Sequence, residues 1–122
     1  MNYKMKQTKN IIKHIISTVI ILNILFFYGC KKEENIQTAT ISVKSMGCDN
    51  CAYIIKKAIF TLNGVKDVEF DMDKKLVHVK YLPLYTNVES IEIAITRAGY
   101  YANDRQRDSV AFKELPECCQ NH

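Results

Sequence analysis

The chain has 122 residues, of which 17 are basic, 13 are acidic and five are cysteines. Four of the basic residues precede residue 30, so the remainder carries 13 basic and 13 acidic side chains and is formally neutral. Because no basic stripe with interleaved aromatic residues remains, the sequence does not favour nucleic-acid binding. The length allows one small domain and flanking segments.

The first 29 residues have the layout of a secretory signal peptide. Residues 1–14 contain four lysines and no acidic residue, and a largely apolar run follows at 15–28. About 14 apolar residues are few for a membrane-spanning helix, which needs about 20. We therefore expect 1–29 to be removed on export, with a signal-anchor helix as the alternative.

The apolar run ends in the dipeptide Gly29–Cys30. This ending resembles a bacterial lipobox, although Phe27 stands where that motif usually carries leucine. The resemblance implies cleavage before Cys30 and attachment of lipid to it, which would anchor the chain in the bacterial cell envelope at the periplasmic face or the cell surface. Residues 30–37 are polar and lack periodicity, which indicates a tether.

Residues 38–102 predict one compact domain with the element order strand, helix, strand, strand, helix. Apolar residues alternate in the strands and recur at helical spacing in the helices. Thr86 and Glu89 have capping-box spacing at the second helix, in which Val88, Ile91 and Ile95 are predicted to be buried. This order predicts an α+β fold, the ferredoxin-like split βαβ sandwich.

A fourth strand is short or missing, because residues 103–108 turn strongly polar. The chain then forms a C-terminal tail, 103–122, with a short predicted helix over 109–115. Val110, Phe112 and Leu115 are the candidates for docking this helix onto the domain. We therefore expect a βαββα domain followed by a helical tail.

Cys48 and Cys51 lie where the first strand gives way to the first helix. A helix N-terminus favours thiolate over thiol, and soft thiolate ligands select Cu(I) and Hg(II). We expect both cysteines in an exposed loop, so that replacing either one removes metal binding with little loss of folding. A CxxC pair is also consistent with a redox centre, half a zinc site or a structural disulfide.

The pattern Met46-x-Cys48-x-x-Cys51 between strand and helix resembles the metal loop of the heavy-metal-associated domain family. That family includes copper chaperones, the N-terminal modules of metal-pumping ATPases and the periplasmic mercury-binding protein. The segment ending in Tyr100 resembles the family's helix-to-loop ending. The resemblance implies that Cys48 and Cys51 are the metal ligands and that Tyr100 supports the metal loop. Met46 is a possible soft ligand, although an unbranched thioether beside a loop favours core packing.

Cys118 and Cys119 form a second thiol pair close to His122. A disulfide between adjacent cysteines is strained, and four thiols after Cys30 permit three pairings. The pair is either auxiliary to Cys48 and Cys51 or incidental in a frayed tail. Convergence of all four would suit a Cu(I) cluster, or Zn(II) or Cd(II) in a tetrahedral site.

These features predict a membrane-tethered metallochaperone or scavenger that binds Cu(I) or Hg(II). Expected partners are a membrane metal transporter or another thiol-bearing metal carrier, with no nucleic acid. No catalytic triad, paired-carboxylate site or phosphate loop is present in the sequence, and we predict no catalysis. The alternative function is that of a thiol-disulfide redox protein, although Asp49–Asn50 differs from the Gly-Pro type of spacer in such enzymes. A purely structural lipoprotein would have no use for the CxxC pair.

Overall fold

The computed structural model describes residues 2–27, 29 and 33–121. It divides into two compact units, one ending at Glu33 and the other beginning at Glu34. The first unit contains helix α1, Asn2–Phe27. Within the described residues, none of the helices combines the length and apolar character that crossing a membrane requires. Cys30 and His122 lie outside the described residues.

The second unit combines a three-stranded antiparallel sheet with helices. Its elements, in chain order, are β1 (Gln37–Ser42), α2 (Asp49–Ile59), β2 (Val65–Asp71), β3 (Leu76–Tyr81), α3 (Val88–Arg97), α4 (Ser109–Lys113) and α5 (Glu117–Gln120). The strand order is β1-β3-β2, with Ile41 opposite Val77 and Phe70 opposite Val77 on the other side. The predicted α+β, ferredoxin-like fold and helical tail are therefore confirmed.

One face of the sheet and one stripe of each long helix form the core. Alternate residues of β3 are buried, as the period of two in a strand requires. The helices contribute residues spaced four apart, the spacing that aligns side chains on one helical face. The fully buried members of these two stripes are Cys51, Ile55 and Ile59 in α2 and Ile91 and Ile95 in α3.

The predicted start of α3 is wrong by one residue. Asn87 is the N-cap, and its side-chain oxygen accepts a hydrogen bond from the Ser90 amide at 2.8 Å. Asparagine is a strongly preferred N-cap, and Thr86, predicted to cap the helix, is buried instead. Val88, predicted to be buried, is 39% exposed at the first helical position.

Asn103 occupies the place where a fourth strand would meet β1. Its amide donates to the Ser42 carbonyl at 2.8 Å, and its side-chain oxygen accepts from the Ser42 amide at 2.9 Å. Beyond this contact, the expected strand is reduced to an isolated bridge between Ala102 and Arg105. One residue therefore pairs with the end of β1 nearest the loop that carries Cys48.

The tail folds back onto the domain through α4. Asp108 caps this helix by accepting hydrogen bonds from the Val110 and Ala111 amides at 2.8 and 2.9 Å. Leu115 is buried and Phe112 packs against the core, as predicted. Val110, also predicted to dock, is 66% exposed.

Candidate metal centre

The loop between β1 and α2 is held in place by burial and by backbone hydrogen bonds. The Val43 amide donates to the Lys75 carbonyl at 2.9 Å, and the Met46 amide donates to the Val43 carbonyl at 3.0 Å, which closes a turn. Met46 is fully buried in the core. Its burial supports the packing interpretation and sets the position of Cys48 two residues later.

Cys48 and Cys51 differ in their surroundings although they share one helix end. Cys48 is the N-cap of α2 with an extended backbone, and its side chain is half-buried. Cys51 lies within the first turn and is fully buried in the core. Their sulfur atoms are 3.1 Å apart. The expectation that both cysteines lie in an exposed loop is therefore wrong for Cys51.

The tail brings the second cysteine pair to the first. The Sγ atom of Cys48 lies 2.7 Å from that of Cys118 and 3.6 Å from that of Cys119. Cys118 is exposed, whereas Cys119 is fully buried. The four sulfur atoms all lie within 4.8 Å of one another. In the described part of the chain, α5 is thus packed beside α2 instead of being frayed.

A disulfide links Cys51 to Cys119, whose Cα atoms are 5.7 Å apart. Cys48 and Cys118 remain free thiols. This disulfide joins the metal loop to the tail. It forms neither within the CxxC pair nor between the adjacent Cys118 and Cys119. Because thiolate sulfur is the ligand for soft metals, metal binding by all four cysteines requires this bond to be reduced.

The two free thiols are electrostatically unequal. Burial alone raises the pKa of Cys48, but hydrogen bonds from Cys118 and from the backbone of Cys51 and Asn50 outweigh it and lower that pKa overall. The pKa of Cys118 is raised, first by its hydrogen bond to Cys48 and then by desolvation. Cys48 is therefore the more readily ionised thiol of the pair, and Cys118 is its hydrogen-bond donor.

Tyr100 lies fully buried beside the cluster. Its hydroxyl is a buried group without a hydrogen-bond partner among the described residues. Burial raises the pKa of this hydroxyl, and the negative charges of Cys48 and Cys118 raise it further. The phenol is therefore neutral and is an available hydrogen-bond donor next to the sulfur atoms.

Sequence reasoning missed the residues that position the tail. The Gln120 side-chain amide donates to the carbonyls of Lys113 and Leu115 at 3.1 and 2.5 Å. The Arg107 guanidinium stacks on the Phe112 ring, 3.3 Å from its centroid. No local pattern marks either residue, because both contacts form between residues five to seven positions apart within the tail and depend on how α4 and α5 turn against each other.

A model of the heavy-metal-associated domain matches residues 40–101, about half of the chain. The chain belongs to the heavy-metal-associated domain family. The matched region contains Cys48, Cys51 and Tyr100 and ends before Cys118 and Cys119. The tail cysteines are thus additional to the part of the chain that defines the family.

Curated relatives of this family member are named for metal handling. The copper chaperone CopZ of Staphylococcus haemolyticus (strain JCSC1435) is 40% identical over 60 residues, covering 49% of this chain and 88% of CopZ. The mercuric transport protein periplasmic component of Salmonella typhi is 34% identical over 64 residues, covering 52% of this chain and 70% of that protein. These two relatives are named as a chaperone and a transport component, and a third, the probable copper-transporting ATPase PacS of Synechococcus elongatus, is 36% identical over 63 residues, which cover 52% of this chain and 8% of that protein.

The fold is also similar to that of a solved relative. The crystal structure of oxidized MerP from Ralstonia metallidurans CH34 has a TM-score of 0.53 and 32% sequence identity, covering 58% of this chain and 99% of MerP. Together with the four-cysteine cluster, these similarities identify a heavy-metal-associated domain with a site suited to a soft metal ion.

Proposed function

We propose that this protein is a membrane-tethered metallochaperone or scavenger for Cu(I) or Hg(II). The observation that carries the proposal is the convergence of Cys48, Cys51, Cys118 and Cys119, whose sulfur atoms lie within 4.8 Å of one another. Four soft ligands at one point suit a thiophilic cation. A copper chaperone and a mercuric transport protein among the relatives support the same pair of ions.

Cys48 and Cys51 are the primary ligands in this proposal. They suit a nearly linear two-coordinate ion, which can be passed on by exchange with an incoming thiol. Cys118 and Cys119 are auxiliary ligands that raise the coordination number, and participation of all four extends the site to Zn(II) or Cd(II) in tetrahedral geometry. A thiol reductant must first cleave the Cys51–Cys119 bond by thiol-disulfide exchange.

Tyr100 and Met46 support the ligands without binding the ion. On metal binding, the Tyr100 hydroxyl, which is buried and has no partner among the described residues, comes to donate to a cluster thiolate and offsets part of its negative charge. Hydrogen bonds to a charged acceptor are stronger than neutral ones. Met46 fills the core beneath the loop and fixes its shape, because a fully buried thioether cannot turn outward without opening a cavity.

The N-terminal segment determines where this chemistry takes place. In our proposal residues 1–29 are a lipoprotein-type signal peptide, Cys30 is the lipid anchor, and 30–37 form the tether. The domain and its tail would then stand at a bacterial envelope membrane, on the periplasmic face or the cell surface. Support comes from the basic-then-apolar layout and from a relative named as a periplasmic component. A membrane metal transporter or another thiol-bearing carrier is the partner.

Replacing Cys30 with alanine tests the anchor. The variant should remain uncleaved or become soluble, and it should not incorporate a labelled fatty acid. Cys118→Ala is the matched control, since it removes a cysteine from the same chain and leaves the Gly29–Cys30 boundary intact. Normal lipid labelling of the Cys30→Ala variant would contradict the proposal.

Native mass spectrometry of the reduced chain in detergent tests metal binding. The chain is titrated without oxygen against Cu(I), Hg(II), Zn(II) and Cd(II). We expect tight uptake of Cu(I) or Hg(II) that is abolished in the Cys48→Ser/Cys51→Ser double variant. Near-native Cu(I) affinity in that variant, measured by competition with a chromophoric chelator, would exclude this site.

A redox function is the second candidate, because Cys51 and Cys119 are disulfide-bonded beside a Cys48 thiol of lowered pKa. Such a thiolate is a competent nucleophile for thiol-disulfide exchange. Reduction of insulin by a thiol reductant, with and without the chain, distinguishes the two functions. Acceleration that depends on Cys48 would favour the redox function, and the absence of acceleration would favour metal binding.

A further inference from the structure

The four-cysteine cluster has one accessible edge. Cys51 and Cys119 are fully buried, while Cys48 is half-buried and Cys118 is exposed. The accessible pair is also close together, with sulfur atoms 2.7 Å apart. A thiol from another molecule therefore reaches a bound ion first at the Cys48–Cys118 edge.

The tail has a part held by backbone contacts, α4, and a shorter part, α5, that is held through its cysteines and Gln120. The Asp108 amide donates to the Thr96 carbonyl at 2.9 Å, and α4 passes so close to Gly99 that a Cβ atom there would lie 2.9 Å from the Phe112 nitrogen. Beyond buried Leu115, the chain turns at Pro116 into the four-residue helix α5, which has no side-chain N-cap.

Gln120 fastens α5 to the end of α4. Its amide donates to the carbonyls of Lys113 and Leu115, which are left over at the end of α4. Outside the cysteine cluster, the side chain of Asn50 in α2 also hydrogen-bonds to Cys118, while Gln120 supplies hydrogen bonds that join α5 to the rest of the tail. Their loss would free α5 to swing about Pro116 while α4 stays docked.

We infer that α5 is a displaceable internal dithiol. On this inference, which rests on the proposed function, an incoming dithiol carrier takes the metal by replacing Cys118 and then Cys119 at the ion. Gln120 is a positioning residue that sets how readily α5 gives way. The tail thus holds the ion with two thiols of the same chain. These two thiols occupy the positions at the ion that the two thiols of a carrier take during transfer.

Each exchange step is a ligand substitution without redox change. An incoming thiol loses its proton as its sulfur bonds to the ion, and the Cys118 thiolate leaves the ion and takes up a proton. A second thiol of the same carrier then replaces Cys119 in the same way. The metal keeps its oxidation state, and the ion remains held by Cys48 and Cys51 until the carrier completes its own site.

This arrangement discriminates between carriers with one thiol and carriers with two. After a single-thiol competitor has displaced Cys118, Cys119 still holds α5 at the ion, so Cys118 returns at the high effective concentration of an intramolecular ligand. A dithiol carrier replaces both and prevents this return. The chain therefore retains its ion in a pool of simple thiols and yields it to a paired-cysteine site.

The test compares transfer of Cu(I) from the reduced full chain in detergent to two peptides. One peptide contains a Cys-x-x-Cys pair, and the other carries a single cysteine at the same total thiol concentration. Rapid separation followed by copper quantification gives the transfer rate. We expect the dithiol peptide to be faster by at least about tenfold, at a rate proportional to its concentration.

Two variants separate the role of α5 from ordinary chelation. In Cys118→Ala/Cys119→Ala the advantage of the dithiol peptide should shrink, because no internal dithiol competes. Gln120→Ala should speed transfer to the single-thiol peptide about fivefold, the change expected for losing a hydrogen bond worth about 1 kcal/mol, with copper stoichiometry unchanged. Asn121→Ala, which alters an exposed amide on the neighbouring residue, should leave the rate unchanged.

Three outcomes would overturn the inference. They are equal rates for the two peptides, a rate independent of peptide concentration, and an unchanged rate in Gln120→Ala. A chain that takes up no copper would overturn the proposed function as well. A chain that binds copper but shows any of the three outcomes would overturn this inference alone.

Discussion

The two cysteines of the CxxC pair have different neighbours, and this difference determines what each substitution does to the protein. Cys48 is half-buried at a helix N-cap, whereas Cys51 is fully buried among the apolar side chains of the core. In the proposed function, metal binding needs both sulfur atoms. Folding depends mainly on Cys51, because Cys51 lies within the core whereas Cys48 is only partly buried against it.

Cys51→Ser should therefore lower the free energy of unfolding of the reduced protein by about 1–3 kcal/mol, the cost of burying an unpaired hydroxyl. Cys48→Ser should change it by less than about 0.5 kcal/mol, so it serves as the control. Urea denaturation under reducing conditions measures both values. Equal losses in the two variants would contradict the different burial of the two cysteines.

The free thiols of the disulfide-bonded form should differ in their reactivity with pH. Thiolate is the reactive form, so the lowered pKa of Cys48 predicts alkylation at lower pH than the raised pKa of Cys118 allows. A short iodoacetamide pulse at each pH, followed by peptide mass spectrometry, gives both profiles.

Cys118→Ala tests the cause of this difference. The variant removes the hydrogen-bond donor to Cys48, so the Cys48 profile should move to higher pH. An unmoved profile would show that the backbone hydrogen bonds and the helix N-terminus suffice to lower the pKa of Cys48.

At the scale of elements, the contact between Gly99 and α4 holds the tail against the domain. Gly99 has a φ of +94°, which a residue with a side chain rarely adopts. An added Cβ would also lie 2.9 Å from the backbone of Phe112. Glycine at this position therefore allows the positive φ at the end of α3 and also allows α4 to pack closely against it.

Gly99→Ala should destabilise the domain by about 1–3 kcal/mol and release the tail. In the reduced Gly99→Ala variant, release of the tail should make the alkylation of Cys119 faster. Gly64→Ala is the matched control, since its φ of +84° is equally unfavourable for alanine but its contacts are with Leu82 and Tyr85. The control should lose stability without exposing Cys119, and equal exposure in both variants would contradict the role of Gly99.

The helices and strands of the domain could be predicted because their signals are local. The alternation in β1 and the four-residue spacing of Cys51, Ile55 and Ile59 follow from backbone geometry alone. The exact start of α3 could not, because Thr86 and Asn87 are both acceptable caps and tertiary packing buried the first of them. The prediction that Val110 docks onto the domain is wrong, because contacts with the domain, and not the sequence of a five-residue helix, determine which side of that helix is buried.

At the scale of the whole molecule, the site is made from residues far apart in sequence. The sequence predicts Cys48 and Cys51 as candidate ligands from their place at the start of a helix, and the structure places them at the N-cap and in the first turn of α2. The sequence supports the meeting of these cysteines with Cys118 and Cys119 only as a hypothesis, because it depends on contacts between the tail and the domain, such as the Asp108 amide on the Thr96 carbonyl, that no local pattern encodes.

Truncation after Leu115 should weaken Cu(I) affinity or lower the metal stoichiometry, because it removes two of the four sulfur atoms. Competition with a chromophoric chelator and native mass spectrometry measure these quantities. Cys118→Ala/Cys119→Ala in the full chain is the control and should have the same effect. Unchanged binding in the truncated protein would restrict the site to Cys48 and Cys51.

The link between Cys51 and Cys119 spans 68 residues, most of the domain. On the loop-entropy model, a cross-link of that span stabilises the folded state by about 4 kcal/mol relative to the open chain. A metal ion shared by the loop and the tail closes the same span. The reduced and empty chain lacks both closures and unfolds most readily, so proteases should degrade that form first. The lifetime of the protein would then report whether the loop and the tail are joined, either by the disulfide or by a bound ion.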